Sequence, residues 1–173
     1  ARTRELLRVG SVHLAKWTRP PTGSVLAPLR GIDASSVLRS EGGTCDGDCA
    51  PAGYQPEAIG VDDDAILSAS AAIDRGTGRW ELNVYLTARG TSALRAASLD
   101  LASRTVGTPE NQMAVFVDRL MVSNGNVPGV LDSGSFSISG ARIASDAAFR
   151  ADLLAWLKSG GMSITILSLK PLA

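Results

Sequence analysis

Two cysteines, a single histidine and a run of three aspartates are the residues of this 173-residue chain whose types could support chemistry. Cys45 and Cys49 close the segment Cys45-Asp46-Gly47-Asp48-Cys49. An isolated pair this close in sequence, in a Gly- and Asp-rich stretch, suits a local disulfide. Two free thiols in a loop are the other reading. A metal site fits poorly, because two thiolates need two further ligands and His13 is the one histidine. A cysteine nucleophile would need a neighbouring base, and a paired cysteine would be unavailable. A Ser-His-Asp arrangement would have to recruit His13, which lies in an alternating segment near the N-terminus, and no Gly-x-Ser-x-Gly elbow is present. Asp62-Asp63-Asp64 could join Asp46 and Asp48 around Ca²⁺, since hard cations want several oxygens. The spacing matches no defined ligand loop, so the expectation is a solvated turn that caps a short helix at Ala65-Ile66-Leu67. Gly125, Gly129 and Gly134 lie in a polar stretch without lysine, which does not fit a phosphate cradle. These residues imply no catalytic group, no metal and no cofactor.

Composition narrows the partner classes. Seventeen basic and 17 acidic residues give a formal net charge of zero. A nucleic-acid binder would need a basic excess to replace counterions, and a polybasic membrane-surface protein would need one too. Hydrophobic residues make up 45% of the chain, enough for a packed core, with few aromatics. No apolar run approaches the roughly 20 residues that span a bilayer, so any membrane attachment would run through segments absent from this chain. The chain begins at Ala1 and shows no signal-peptide pattern, so the expectation is a processed or trimmed N-terminus.

The elements follow from periodicity. Residues 6–15 alternate as a strand. Residues 18–56 are rich in Pro, Gly, Ser and Asp and read as a long surface connection. Ala69, Ala71 and Ile73 alternate up to the turn Asp74-Arg75-Gly76-Thr77-Gly78. Trp80, Leu82, Val84 and Leu86 alternate after it, which predicts a hairpin with Trp80 in the core. A helix is expected over 88–104, capped by Thr87 or Thr91, with Leu94, Ala97 and Leu101 on one stripe. Met113 to Val117 reads as a buried strand, Asp118-Arg119 as its turn and Leu120-Met121-Val122 as its return. Residues 123–135 read as an exposed loop and Phe136 and Ile138 as a short strand. A second helix is expected from Ser145-Asp146, Ser145 capping it, with Phe149, Leu153, Trp156 and Leu157 facing inward and Gly160-Gly161 stopping it. Ile164 and Ile166 mark a last strand. The expected class is α+β, two-layer, a mostly antiparallel or mixed β-sheet with two helices packed on one face. One domain divides into residues 1–17 as an N-terminal strand, 18–56 as the long loop with Cys45 and Cys49, and 57–173 as a regular α+β core.

Several stretches resemble the head subdomain of the first extracytoplasmic domain of the protein-export subunit SecD, in its actinobacterial forms. They are the Cys loop, Pro56-Glu57-Ala58-Ile59-Gly60, Leu67-Ser68-Ala69-Ser70-Ala71, and the Trp80–Leu86 strand running into Thr87-Ala88-Arg89-Gly90-Thr91. Then follow Pro109-Glu110-Asn111-Gln112-Met113, Ile138-Ser139-Gly140 and Lys158-Ser159-Gly160-Gly161, in the family's order over some three-quarters of the chain. The sequence departs at Arg119, where the family has Gly, and at Ser123-Asn124-Gly125, where it commonly has Ser-Ala-Pro. The resemblance implies a non-enzymatic domain outside the cytoplasmic membrane, anchored or secreted in its full-length protein. It implies partners among unfolded secretory polypeptide and translocon components. The alternative is a stand-alone secreted or lipid-anchored binding module with another cell-envelope ligand. The candidate partner-binding loop is Met121, Val122, Ser123, Asn124, Val127, Val130 and Leu131, because exposed loops on a rigid sheet carry recognition. The other reading of these apolar residues is that they fold back on the core.

Overall fold

The structure, a computed structural model, describes residues 12–19, 51, 53–117 and 120–159. The cysteines, the turn at Asp118-Arg119 and the expected last strand at Ile164 and Ile166 lie outside the described residues.

Among the described residues seven strands form two antiparallel sheets. They are β1 (Val12–Thr18), β2 (Gln55–Asp62), β3 (Ile66–Ile73), β4 (Trp80–Leu86), β5 (Gln112–Val117), β6 (Leu120–Asn126) and β7 (Ser135–Ile138). The first sheet runs β2-β1-β5-β6 and the second β3-β4-β7. Among the described residues three helices accompany them: α1 (Ala88–Ala102), the single-turn α2 (Ala141–Ser145) and α3 (Ala147–Ser159). The α+β class is as expected from the periodicity, with the strands divided between two sheets. α1 packs on β2 and α3 on β3.

Alternation along each strand builds one shared core. Val12 and Leu14 from β1, Val61 from β2 and Val115 and Val117 from β5 meet Ala69, Leu82, Val84, Phe136 and Ile138 of the second sheet. The helices close it with Leu94, Ile143, Phe149, Leu153 and Leu157. The opposite face of the first sheet carries a smaller cluster of Ala15, Trp17, Ala114 and Phe116. There Trp17 and Phe116 meet edge to face, centroids 6.2 Å apart.

The two sheets join at one corner. A 3-10 turn, Asp63–Ala65, carries the chain from β2 directly into β3. The helix expected at Ala65-Ile66-Leu67 is therefore replaced by this shorter turn, because Ile66 already pairs with Leu86 in the ladder. The Ala65 carbonyl accepts from the Thr87 backbone N–H at 2.9 Å and from Thr87 Oγ1 at 3.3 Å. Thr87 also caps α1, its hydroxyl accepting from the Gly90 N–H at 3.3 Å. Gly90 sits in the first turn, pressed on the corner. A Cβ there would stand 2.7 Å from the Ala65 carbonyl oxygen and 2.9 Å from the Ala65 Cβ.

Four local expectations change. Ser145 ends α2, and Asp146 caps α3 instead, its carboxylate accepting from the Phe149 N–H at 2.9 Å. Trp80 is half-buried at the start of β4, with the Arg150 guanidinium 4.5 Å from its ring centroid. Residues 123–126 continue β6 and are not loop, since Asn124 pairs with Ala114 and Asn126 with Gln112. The α1 stripe is completed by buried Ser98, while Ala97 is half-buried.

Gly90→Ala tests the corner. Alanine gains up to about 1 kcal/mol of helix propensity over glycine. Overpacking against backbone costs about 1–3 kcal/mol, and here the obstructing atom is a carbonyl oxygen that cannot swing away. Urea unfolding of the variant is expected to show a net loss of stability, and an unchanged or raised midpoint would reject the tight corner.

Candidate interaction surface

The loop residues singled out in the sequence are mostly held inward. Val122 and Val127 are buried, and Met121 and Leu131 are partly buried. Met121 packs on the Trp17–Phe116 cluster and Leu131 on the main core. Val122 falls at a bulge between Phe116 and Val115, which turns it toward the main core. Ser123 donates to the Ser139 carbonyl at 2.7 Å. Asn124 accepts from Trp17 Nε1 at 2.9 Å and donates to Gln112 Oε1 at 3.0 Å. Of the seven, Val130 is a large apolar side chain that stays exposed.

Two buried polar residues fasten the segment. Asn111 donates from Nδ2 to the Leu101 carbonyl at 2.9 Å and to the Val127 carbonyl at 2.8 Å. The first belongs to the last turn of α1, where it also accepts from the Arg104 N–H at 3.0 Å. The Asn111 carbonyl in turn accepts from the Val127 N–H at 2.9 Å. Ser98 Oγ accepts from the Leu131 N–H at 2.9 Å and donates to the Arg95 carbonyl at 3.1 Å. Sequence reading passed over both residues. The available signal was an Asn directly before an apolar strand and a Ser inside an apolar helical stripe, each a donor that must find a partner if buried.

The outer face of β3-β4-β7 has a different character. Ser68, Tyr85 and Ser135 form one row and Ser70, Asn83 and Ser137 the next. Ser137 donates to Asn83 Oδ1 at 2.7 Å. Leu67, 71% exposed, lies in a bulge between Ile66 and Ser68, close in register to Tyr85. The face is neutral through these two rows, and Glu81 enters opposite Ala72 toward its far end.

Ionisable groups sit around the first sheet. Asp100 on α1 accepts from Arg104 at 2.8 Å and from Lys16 at 3.4 Å, and Lys16 also lies 3.8 Å from Glu57. The Arg104 hydrogen bond, with help from Lys16, holds the Asp100 carboxyl below the usual aspartate range. Arg19 donates to the Tyr54 hydroxyl at 2.8 Å, and that hydroxyl donates to Glu110. The Tyr54 bond lowers the Glu110 carboxyl and raises the Arg19 guanidinium. Asp62 pairs with Arg89, and Asp63 accepts from the Val12 N–H at 2.7 Å. The aspartate run thus ties β1 and α1 to the corner. His13 lies in β1 opposite Phe116 and Asp62. Among the described residues no three His, Cys, Asp or Glu side chains come together as metal ligands.

The family model of the SecDF P1 head subdomain matches residues 49–164. Among solved structures the chain is similar to one described as a membrane component SecDF that enhances protein export. The TM-score is 0.59 at 13% identity, over 98% of this chain and 74% of that one. It is also similar to SecDF in a super-membrane-facing form, with a TM-score of 0.55 and 13% identity over 92% of this chain. It spans 20% of that second chain's length. At 13% identity these likenesses show the fold. Among curated proteins no match is found.

Two outcomes follow from this geometry. Asn111→Ala removes the side-chain donor shared by two carbonyls; the Leu101 carbonyl keeps its Arg104 bond, and loss of a buried hydrogen bond costs about 1–3 kcal/mol. Urea unfolding is expected to register that loss, and hydrogen exchange at Val127 and Leu131 to rise before the rest of the core opens. Asp100, lowered in the folded state, contributes stability that is present above its unfolded value of about 3.9 and fades as pH falls through the lower folded value. Asp100→Asn is expected to flatten the wild-type decline in thermal midpoint below about pH 4. Identical acid profiles would reject the Arg104 and Lys16 contribution.

Proposed function

The chain belongs to the SecDF P1 head subdomain family, and from that membership we propose that it is a non-catalytic head module of protein export, working outside the cytoplasmic membrane. The observation that carries the reading is the family match over residues 49–164, two-thirds of the chain. The expected partners are translocating polypeptide in its unfolded form and components of the translocon.

The physical character of the domain supports this reading. The ionisable side chains described above make ion pairs and hydrogen bonds spread around the first sheet, not a cluster converging on one atom. Catalysis by general acid and base needs such convergence within hydrogen-bond reach of a substrate. The second sheet instead offers an outer face that is neutral through its Ser68 and Ser70 rows, lined by hydroxyls and amides, with Leu67 and Tyr85 exposed at 71% and 45%. Rows without charge add no electrostatic steering, which suits contact through backbone and apolar groups of many different secreted chains. Among the described residues no helix is long and apolar enough to cross a membrane, so in this reading any anchoring is supplied by other parts of the full-length protein.

Titration of the domain into a labelled secretory polypeptide, kept reduced and unfolded, tests the role. Binding is expected with a Kd on the order of micromolar to a millimolar, and the same polypeptide in its folded form should bind at least about tenfold more weakly. No binding of the unfolded chain up to about 1 mM would reject the proposal.

A further inference from the structure

We infer that the edge of β3 from Ser68 to Ile73, which has no strand neighbour among the described residues, is a strand-addition site for an extended, uncharged polypeptide segment. This deepens the export reading and rests on it, by naming where and how a client would be held.

β3 pairs with β4 on one side, and among the described residues no strand lies on its other side. An antiparallel strand directs alternate pairs of N–H and C=O groups to each flank. The outer flank of β3 therefore presents a row of donors and acceptors spaced to match one thing, another extended backbone.

The sequence places neither charge nor proline along this edge. Protected edges carry lysine or other charges, proline or a bulge, are very short, or lie under a helix or loop. β3 reads Ile-Leu-Ser-Ala-Ser-Ala-Ala-Ile over Ile66–Ile73, with no charge and no proline in eight residues. Its one irregularity is the bulge at Leu67. That bulge disturbs the start of the strand and leaves a regular stretch of six residues after it, with Ser68 opposite Tyr85 and Ile73 opposite Trp80. Six residues are ample for a short added strand.

The surroundings select the occupant. Ser68, Ser70 and Ile73 are exposed and Ala71 and Ala72 half-exposed, so short or apolar side chains on an added strand meet no bulk. The inner face is already closed, since Ala69 is buried beneath α3 and the shared core. A charged client segment would gain no partner along Ser68–Ala71, where every side chain is neutral. Main-chain bonds supply the affinity in this mode, and side chains contribute little discrimination. The occupant is thus defined by conformation and low charge more than by sequence.

The test uses the whole chain, in wild-type form and with Ser70→Lys or Ser68→Lys. Both serines are exposed, so the fold should persist, with circular dichroism and urea midpoint as checks. Ala96→Lys on the exposed side of α1 is the control. The edge lysines are expected to weaken binding of the unfolded secretory polypeptide by about tenfold and the control to leave it within about twofold. Hydrogen exchange on client addition should slow at alternate amides of residues 68–73. A neutral six-residue peptide and its scrambled form should compete alike, while N-methylation of alternate amides should abolish competition. If wild type binds and the edge lysines bind as well, the edge assignment fails and the export reading stands. If wild type binds no unfolded chain, both fail. If the edge amides are protected without client, and sedimentation shows a dimer, the occupant is a second copy and the inference is overturned.

Discussion

The fold turns on the contact between Gly90 and the Ala65 carbonyl. At that point the chain leaves one sheet and enters the other, with three residues of 3-10 turn to do so. One carbonyl takes two hydrogen bonds from Thr87, and the same threonine caps the helix that follows. A helix can approach a strand corner this closely only where the side chain is missing. The position of α1 and the burial of Ala65 are therefore set together. Asp62 and Asp63 reinforce the joint from outside, one through Arg89 and one through the β1 backbone. An acidic run that looks like a candidate cation site in the sequence is a set of ties at a corner.

The sequence was most legible where a single face decides the pattern. Trp80, Leu82, Val84 and Leu86 alternate because β4 is the middle strand of its sheet and buries one side. Phe149, Leu153 and Leu157 were readable because α3 lays one stripe on β3. The resemblance to the SecD head was also readable, through motifs that prove structural. The Gly of Thr87-Ala88-Arg89-Gly90 is the one without room for a Cβ, and the Asn of Pro109-Glu110-Asn111 is the buried clamp.

What stayed hidden has long-range causes. The division into two sheets depends on which strands pair, and alternation carries no record of partners. The polar end of β6 looked like loop because Ser123-Asn124-Gly125-Asn126 lacks apolar residues. Yet its ladder with β5 and the Asn124 side-chain bonds satisfy that polarity. Most of the candidate loop is held inward for the same reason. Its apolar residues are drawn in by Ser98 and Asn111, whose partners sit 33 and 16 residues away in the chain. Local composition marks such a segment as available surface, and the distant partner is what makes it core.

The place of β1 in the first sheet has a consequence for the order in which the domain can assemble. β1 lies between β2 and β5, and Val12 faces Val117 about a hundred residues further along the chain. The second sheet is different, since β3 and β4 form a hairpin closed by the Asp74 turn and α1 follows at once. Nearby contacts close quickly, while a distant pairing must first overcome loop-closure entropy. A chain that emerges N-terminus first thus holds Val12, Leu14 and Trp17 without their β5 cover until residue 117 has followed. The strand at the centre of the finished sheet is the one that waits longest for its second neighbour.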